Sequence, residues 1–108
     1  MVEKTFTVSY DGELKQVLEI DPTLFAVKKL YDWDGYLYLK EVSGNDVDYE
    51  IRSVVADIEN VESSGTISAN DVATFTLSKT VRHRIYLKSN DGSSEGQVKV
   101  GLRINYYT

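Results

Sequence analysis

The sequence predicts an all-β fold. The expected form is an antiparallel β-sandwich of seven to eight strands, jelly-roll or Ig-like, with a small β-barrel as the alternative. Three observations carry this. Apolar and polar residues alternate with period two over most of the chain. Turn-forming clusters recur at short intervals. No segment sustains a helical period long enough for the crossover of roughly a dozen residues that parallel strands need.

Composition bounds the rest. The 108 residues make one domain, taken as 1–108. A chain of this size buries roughly two-thirds of its unfolded surface, enough for a core without staples. There is no cysteine, so disulfides and thiolate metal sites are excluded. A net charge of −5 repels phosphate backbones, so no nucleic-acid partner is expected. No apolar run approaches the ~20 residues of a membrane span. The start, Met1-Val2-Glu3-Lys4-Thr5-Phe6, lacks a signal-peptide pattern. The expected location is the virion or cytoplasm, or extracellular if a leader has been removed.

The elements follow in order. Phe6, Val8 and Tyr10 face one way, and Thr5, Thr7 and Ser9 the other. Asp11-Gly12 predicts a hairpin. Its return run sets Leu14, Gln16, Leu18 and Ile20 against Glu13, Lys15, Val17 and Glu19. Asp21-Pro22 can open a short helix with Leu24, Val27 and Leu30 on one face. Phe25, Val27 and Tyr31 fit a strand equally, so both options stay open over 22–31. Asp32-Trp33-Asp34-Gly35 reads as a turn. Tyr36, Tyr38 and Lys40 then alternate with Leu37, Leu39 and Glu41, up to the turn Ser43-Gly44-Asn45-Asp46.

Val47, Tyr49, Ile51, Ser53 and Val55 alternate with Asp48, Glu50 and Arg52. Val54-Val55-Ala56 breaks the pattern, a sign of full burial or a bulge. Ile58 and Val61 lead into a predicted loop at Glu62-Ser63-Ser64-Gly65. Ala73, Phe75 and Leu77 point inward. Val81, His83, Ile85 and Leu87 alternate with Arg82, Arg84, Tyr86 and Lys88. After a loop over 90–96, Val98, Val100, Leu102, Ile104 and Tyr106 form the clearest strand.

The stretch Gly65-Thr66-Ile67-Ser68-Ala69-Asn70-Asp71-Val72-Ala73-Thr74-Phe75-Thr76-Leu77 resembles the start of pre-peptidase C-terminal (PPC) type β-sandwich domains. There, a Gly-Thr-Ile turn and an Asn/Asp pair precede an aromatic strand. Arg84-Ile85-Tyr86-Leu87-Lys88-Ser89 would be the next strand. The cadence is also similar to small virion decoration and tail modules. The likeness is confined to the second half and implies the fold only.

Catalytic sets are missing from the sequence. His83 is the single histidine and falls on an apolar face. Without cysteine no Cys-His pair can form, and no serine sits in a nucleophile elbow. There is no P-loop or Gly-x-Gly-x-x-Gly. No pair among the seventeen acidic residues is marked out for glycosidase work. The expectation is therefore no catalytic residue, no enzyme and no cofactor. Asp32, Asp34, Asp46 and Asp48, with Asp71 and Asp91, sit beside turns and are weak candidates for structural calcium. Ordinary turn chemistry accounts for the same positions, since Asp bonds its own backbone there.

Two binding candidates remain. Tyr31, Trp33, Tyr36 and Tyr38 form an aromatic patch around one turn. Arg82, Arg84 and Lys88 share an outward face as a docking stripe, extended by Lys99 and Arg103 if the last two strands pair. Both fit a protein partner: another copy, as a homo-oligomer, or a larger assembly. The expected function is a non-enzymatic virion assembly component, such as a capsid decoration or tail-associated module. The alternative is a carbohydrate-binding module that stacks sugars on Trp33 and its tyrosines.

Overall fold

Period-two patterning becomes eight strands in the computed structural model, which describes residues 2–21, 32–77 and 82–107; the side chains of 2, 32–34, 106 and 107 are excepted. The strands are β1 (Val2–Tyr10), β2 (Lys15–Ile20), β3 (Asp32–Glu41), β4 (Val47–Val55), β5 (Ile58–Ile67), β6 (Val72–Leu77), β7 (Arg82–Ser89) and β8 (Gly96–Tyr107). The helix-or-strand question over 22–31, with Tyr31 of the aromatic patch, lies outside the described residues.

Two four-stranded antiparallel sheets result. The first has the order β1-β8-β3-β6 and the second β2-β7-β4-β5. Successive strands change sheet at every step except β4 to β5, which gives the jelly-roll topology. The strips β1 and β2 face each other along one side of the sandwich, and β5 and β6 along the other. Neither sheet closes on itself, so the fold is a sandwich and the barrel alternative falls away.

The inward positions of the alternating runs make the core. Leu37, Leu39, Val47, Ile51, Ile85, Leu87, Val98, Val100, Leu102 and Ile104 are all buried. Each contributes about 1.5–3 kcal/mol by leaving water.

Four local expectations are corrected. Asp11-Gly12 is not a hairpin: Phe6 pairs with Val100 and Ile20 with His83, so the turn arches from one sheet to the other. Asp11 holds the arch by accepting from the Glu13 amide at 2.9 Å and Lys15 Nζ at 2.6 Å, while the Ser89 amide donates to its carbonyl at 2.7 Å. A turn signal reports chain reversal and says nothing about whether the flanking strands pair. Within β2 the register slips between Gln16 and Leu18, so Val17 and Leu18 both pack on the core and the expected alternation fails.

Asp32 to Gly35 is not a turn but the start of β3, paired residue for residue with Tyr107 to Ile104. The within-sheet hairpin lies instead at Ala56-Asp57, between Val55 and Ile58. Both turn residues are left-handed, with φ of 51° and 62°, as a two-residue hairpin requires. Finally, Ser63-Ser64-Gly65 is strand, not loop: β5 continues through it to Ile67, with one irregularity opposite Ile51 and Arg52.

Candidate interaction surfaces

The outward side of the second sheet carries a lattice of arginines and carboxylates. Arg52 reaches Glu50 at 2.6 Å and Glu59 at 2.9 Å, and its guanidinium lies 3.9 Å from the centre of the Tyr86 ring. Arg84 donates to Glu59 at 2.6 Å and to Glu19 at 2.9 Å. The Tyr86 hydroxyl donates to Glu59 at 2.7 Å. Arg82 lies 3.7 Å from Glu19 and 3.6 Å from Asp57. Hydrogen bonds from Arg52, then Arg84 and Tyr86, pull the Glu59 carboxyl down to about 2.

The structure thus places Arg82 and Arg84 of the expected docking stripe side by side, each with carboxylate partners, and Lys88 half-buried farther along β7. The local charge is balanced. Lys99 and Arg103 do not extend the stripe, because β8 lies in the other sheet. Arg103 instead meets Glu3 at 2.6 Å. Replacing Glu59 by glutamine should lower the melting temperature, because two arginines lose the carboxylate charge they share and one of its acceptor oxygens. Added salt should narrow the gap to wild type. A gap that ignores salt in thermal melts would argue against the ionic reading.

The outward side of the first sheet carries Tyr36 and Tyr38. Tyr36 sits between Arg103 and Thr76, and Tyr38 between Gly101 and Thr74. A shallow depression of about 160 Å³, lined by Glu3, Thr5, Tyr38, Gly101 and Arg103 among others, opens here. Trp33 pairs through its backbone with Tyr106, and its side chain falls outside the description, as do those of Asp32 and Asp34.

The remaining calcium candidates are engaged by nearby hydrogen-bond donors. Asp46 accepts from the Ala69 amide at 3.0 Å. Asp48 accepts from Thr66 at 2.8 Å and from Asn90 at 2.9 Å. Asp91 accepts from the amides of Ser93 and Ser94, both at 2.8 Å, and these and the Ser94 hydroxyl hold it well below the usual carboxylate range. No cluster of three or more metal-binding side chains occurs among the described residues.

His83 is 1% exposed and packs edge-on against Phe75, with ring centres 5.6 Å apart. Burial lowers its pKa, which favours the neutral ring. Its Nδ1 has no hydrogen-bond partner. It lines a cleft of about 410 Å³ with Ser53, Glu62 and Phe75. The Ser53 hydroxyl donates to Glu62 at 2.6 Å, so the serine is directed at a carboxylate and forms no nucleophile–base pair with the imidazole.

Sequence reasoning missed Glu41. It is 0% exposed. One carboxylate oxygen accepts from the Ser43 amide at 2.5 Å and the Tyr10 hydroxyl at 3.2 Å. The other accepts from the amides of Gly44 at 2.9 Å and Asn70 at 3.0 Å. Burial opposes its ionisation, but the backbone donors outweigh it and the pKa is lowered. The available signal was an acidic residue at the inward position after Leu37 and Leu39, just before Ser43-Gly44-Asn45.

The two sides of the sandwich differ in the apolar surface that their edge strands expose. The β1/β2 side carries Glu3, Lys4, Lys15 and Glu19, and β2 is bulged. Charges and bulges are the usual guards against strand addition. The β5/β6 side has no lysine and no proline in its strands, although β5 too is bulged, at Glu62. It exposes Ile58 (64%), Val61 (54%) and Val72 (51%), and Val55 (53%) beside the hairpin. Its two carboxylates are already engaged, Glu59 by Arg52 and Arg84 and Glu62 by Ser53.

No family model matches the chain, that of PPC domains included, and no curated protein matches it in sequence. Solved structures do match its fold. PirA is similar at 14% identity, with 97% of this chain and 93% of that one covered and a TM-score of 0.56. A subunit from Bacillus endospore appendages, described as a family of disulfide-linked pili, is similar at 12% identity, with 99% and 87% covered and a TM-score of 0.57. At such identities the matches speak to the fold alone.

Proposed function

We propose that this chain is a non-enzymatic structural protein that builds assemblies by contact with other protein chains, in a virion or a comparable particle. The observation that carries this reading is the apolar surface exposed along the β5/β6 side. A ten-residue edge strand bearing exposed Ile58 and Val61 invites addition of another strand. The likeness in fold to a pilus subunit supports the use of such a sandwich in polymers.

The test is mass in solution. The wild-type chain should sediment above monomer mass as concentration rises. Val61→Lys places a charge on the open edge and should weaken association at least tenfold, equivalent to about 1.4 kcal/mol. A wild-type protein that stays monomeric at every concentration, and joins no particle, sinks the proposal.

A second reading, carbohydrate binding, is favoured by Tyr36 and Tyr38 on the flat threonine-bearing face of the first sheet. It predicts binding on a glycan array that disappears with Tyr38→Ala. A flat response across the array removes it.

A further inference from the structure

We propose that the cleft between the sheets on the β5/β6 side binds a primary ammonium group carried on an apolar body, with Glu62 as its charge partner and His83 in its wall. This goes beyond the assembly reading and does not depend on it.

Both sheets build the cleft. In the second sheet, Ser53 of β4 stands between His83 of β7 and Asn60 of β5. Phe75 and Leu77 come from β6 of the first sheet. With Glu62 these residues line about 410 Å³, within the range of roughly 300–1,000 Å³ common for small-ligand sites. The ladder explains how an acidic residue comes to be there. Ser63 pairs with Ile51 and Val61 with Arg52, so Glu62 is the extra residue of a bulge. Freed from the ladder, it reaches the Ser53 hydroxyl at 2.6 Å. Bulges often re-aim a side chain beside a functional site.

Two groups in this cleft are left incomplete by the chain. Glu62 keeps its charge, because a serine hydroxyl donates to one oxygen without neutralising the carboxylate. Among the described residues no lysine or arginine pairs with it, whereas Glu59 on the same strand has two arginines. His83 is 1% exposed, and its Nδ1 has no hydrogen-bond partner. Burial favours the neutral ring, in which an unprotonated nitrogen accepts. Both groups call for a donor, and one of them for positive charge. An anion would be repelled by Glu62. A divalent metal ion would find two side-chain ligands here and no cluster of three among the described residues. A primary ammonium brings one positive charge and three N–H donors. Its apolar body has Phe75 and Leu77 to lie against. The ammonium can belong to a free amine or to a lysine side chain of a neighbouring chain. The recognition chemistry is the same, and separate probes tell the two apart.

His83 is the single histidine, so its ring gives one unambiguous set of NMR signals. Its Nδ1 is shielded from water, so a seated ligand meets it only as the ring turns, which shifts those signals. Phenethylamine stands for a free amine, and Nα-acetyl-lysine methylamide for a lysine side chain. 2-Phenylethanol keeps the aromatic body and removes the charge. At neutral pH at least one amine probe should shift the His83 signals saturably, and the tighter of the two names the source. Glu62→Gln should weaken that binding roughly fivefold, the upper end for a partly exposed ion pair. The net charge of −5 attracts cations everywhere on this surface. Glu13→Gln removes the same charge at an exposed site outside the cleft and should leave the affinity unchanged. Equal losses in the two variants overturn the proposal. So does 2-phenylethanol binding as tightly as phenethylamine, or the absence of a saturable shift with either amine.

Discussion

Replacing Glu41 by glutamine should destabilise the fold by about 3 kcal/mol, lowering the melting temperature by roughly 15 °C. A carboxylate offers two acceptor oxygens, and here both are used, against the amides of Ser43, Gly44 and Asn70 and the Tyr10 hydroxyl. An amide offers one. Its NH₂ would face either the Gly44 and Asn70 amides or the Ser43 amide and the Tyr10 hydroxyl, which leaves at least one backbone donor without an acceptor. Because this residue ties the β3–β4 turn to the segment before β6 and to the end of β1, the loss should be felt by three connections at once.

The same substitution should change the acid limb of stability. The folded carboxyl lies below its ordinary value of 4.5. A depressed carboxyl stabilises the fold fully above the unfolded value, and that contribution fades as pH falls through the folded one. Wild type should therefore lose stability below about pH 4.5, and Glu41→Gln should lose less over the same interval. Glu59, at about 2, adds a contribution of the same sign, lost from about pH 4.5 down to about pH 2. Denaturant midpoints measured from neutral pH downward check this. Parallel curves for the two proteins would remove Glu41 from the account.

The second large effect is expected at Gly96. A Cβ there would overlap the Tyr10 ring and lie 2.9 Å from Ser43 Cβ. Tyr10 is buried and its hydroxyl is committed to Glu41, so the ring cannot step aside. Gly96→Ala should cost about 1–3 kcal/mol by overpacking. Gly12→Ala should behave alike, since its Cβ would run into the Gly92 carbonyl, which is backbone. Gly101→Ala is the contrast. Its Cβ would meet Tyr38 at 3.6 Å, an ordinary contact, within an established strand. That change should be neutral or stabilising by up to about 1 kcal/mol. If urea midpoints place Gly96→Ala and Gly101→Ala together, the crowding argument is wrong.

How much of this was legible in the sequence depends on which physical rule set each position. β7 and β8 could be read residue by residue, because burial alone decides the side on which Ile85, Leu87, Val98 and Val100 fall. The jelly-roll pairing could not. Asp11-Gly12 and Ala56-Asp57 are both tight reversals, and only tertiary packing makes the first an arch and the second a hairpin. Ser63-Ser64-Gly65 looked like a loop because an edge strand needs no core-filling side chains. The arginines of β7 looked like a basic stripe because Glu59 is 25 residues away in sequence from Arg84 yet 2.6 Å away in space. Glu41 was hidden for the opposite reason: its partners are backbone amides, which carry no side-chain signature.

The position of β8 has a consequence for how this protein is made. The C-terminal strand lies between β1 and β3, pairing Val2 with Ile104 and Gly35 with the same residue. During translation β1 therefore has no partner within its sheet until β8 has been made. That sheet cannot be completed before β8 has left the ribosome. Folding dominated by such distant partners runs in milliseconds to seconds. Until β8 docks, β1 and β3 present bare flanks to every other nascent copy nearby, which makes that interval the hazardous one for aggregation.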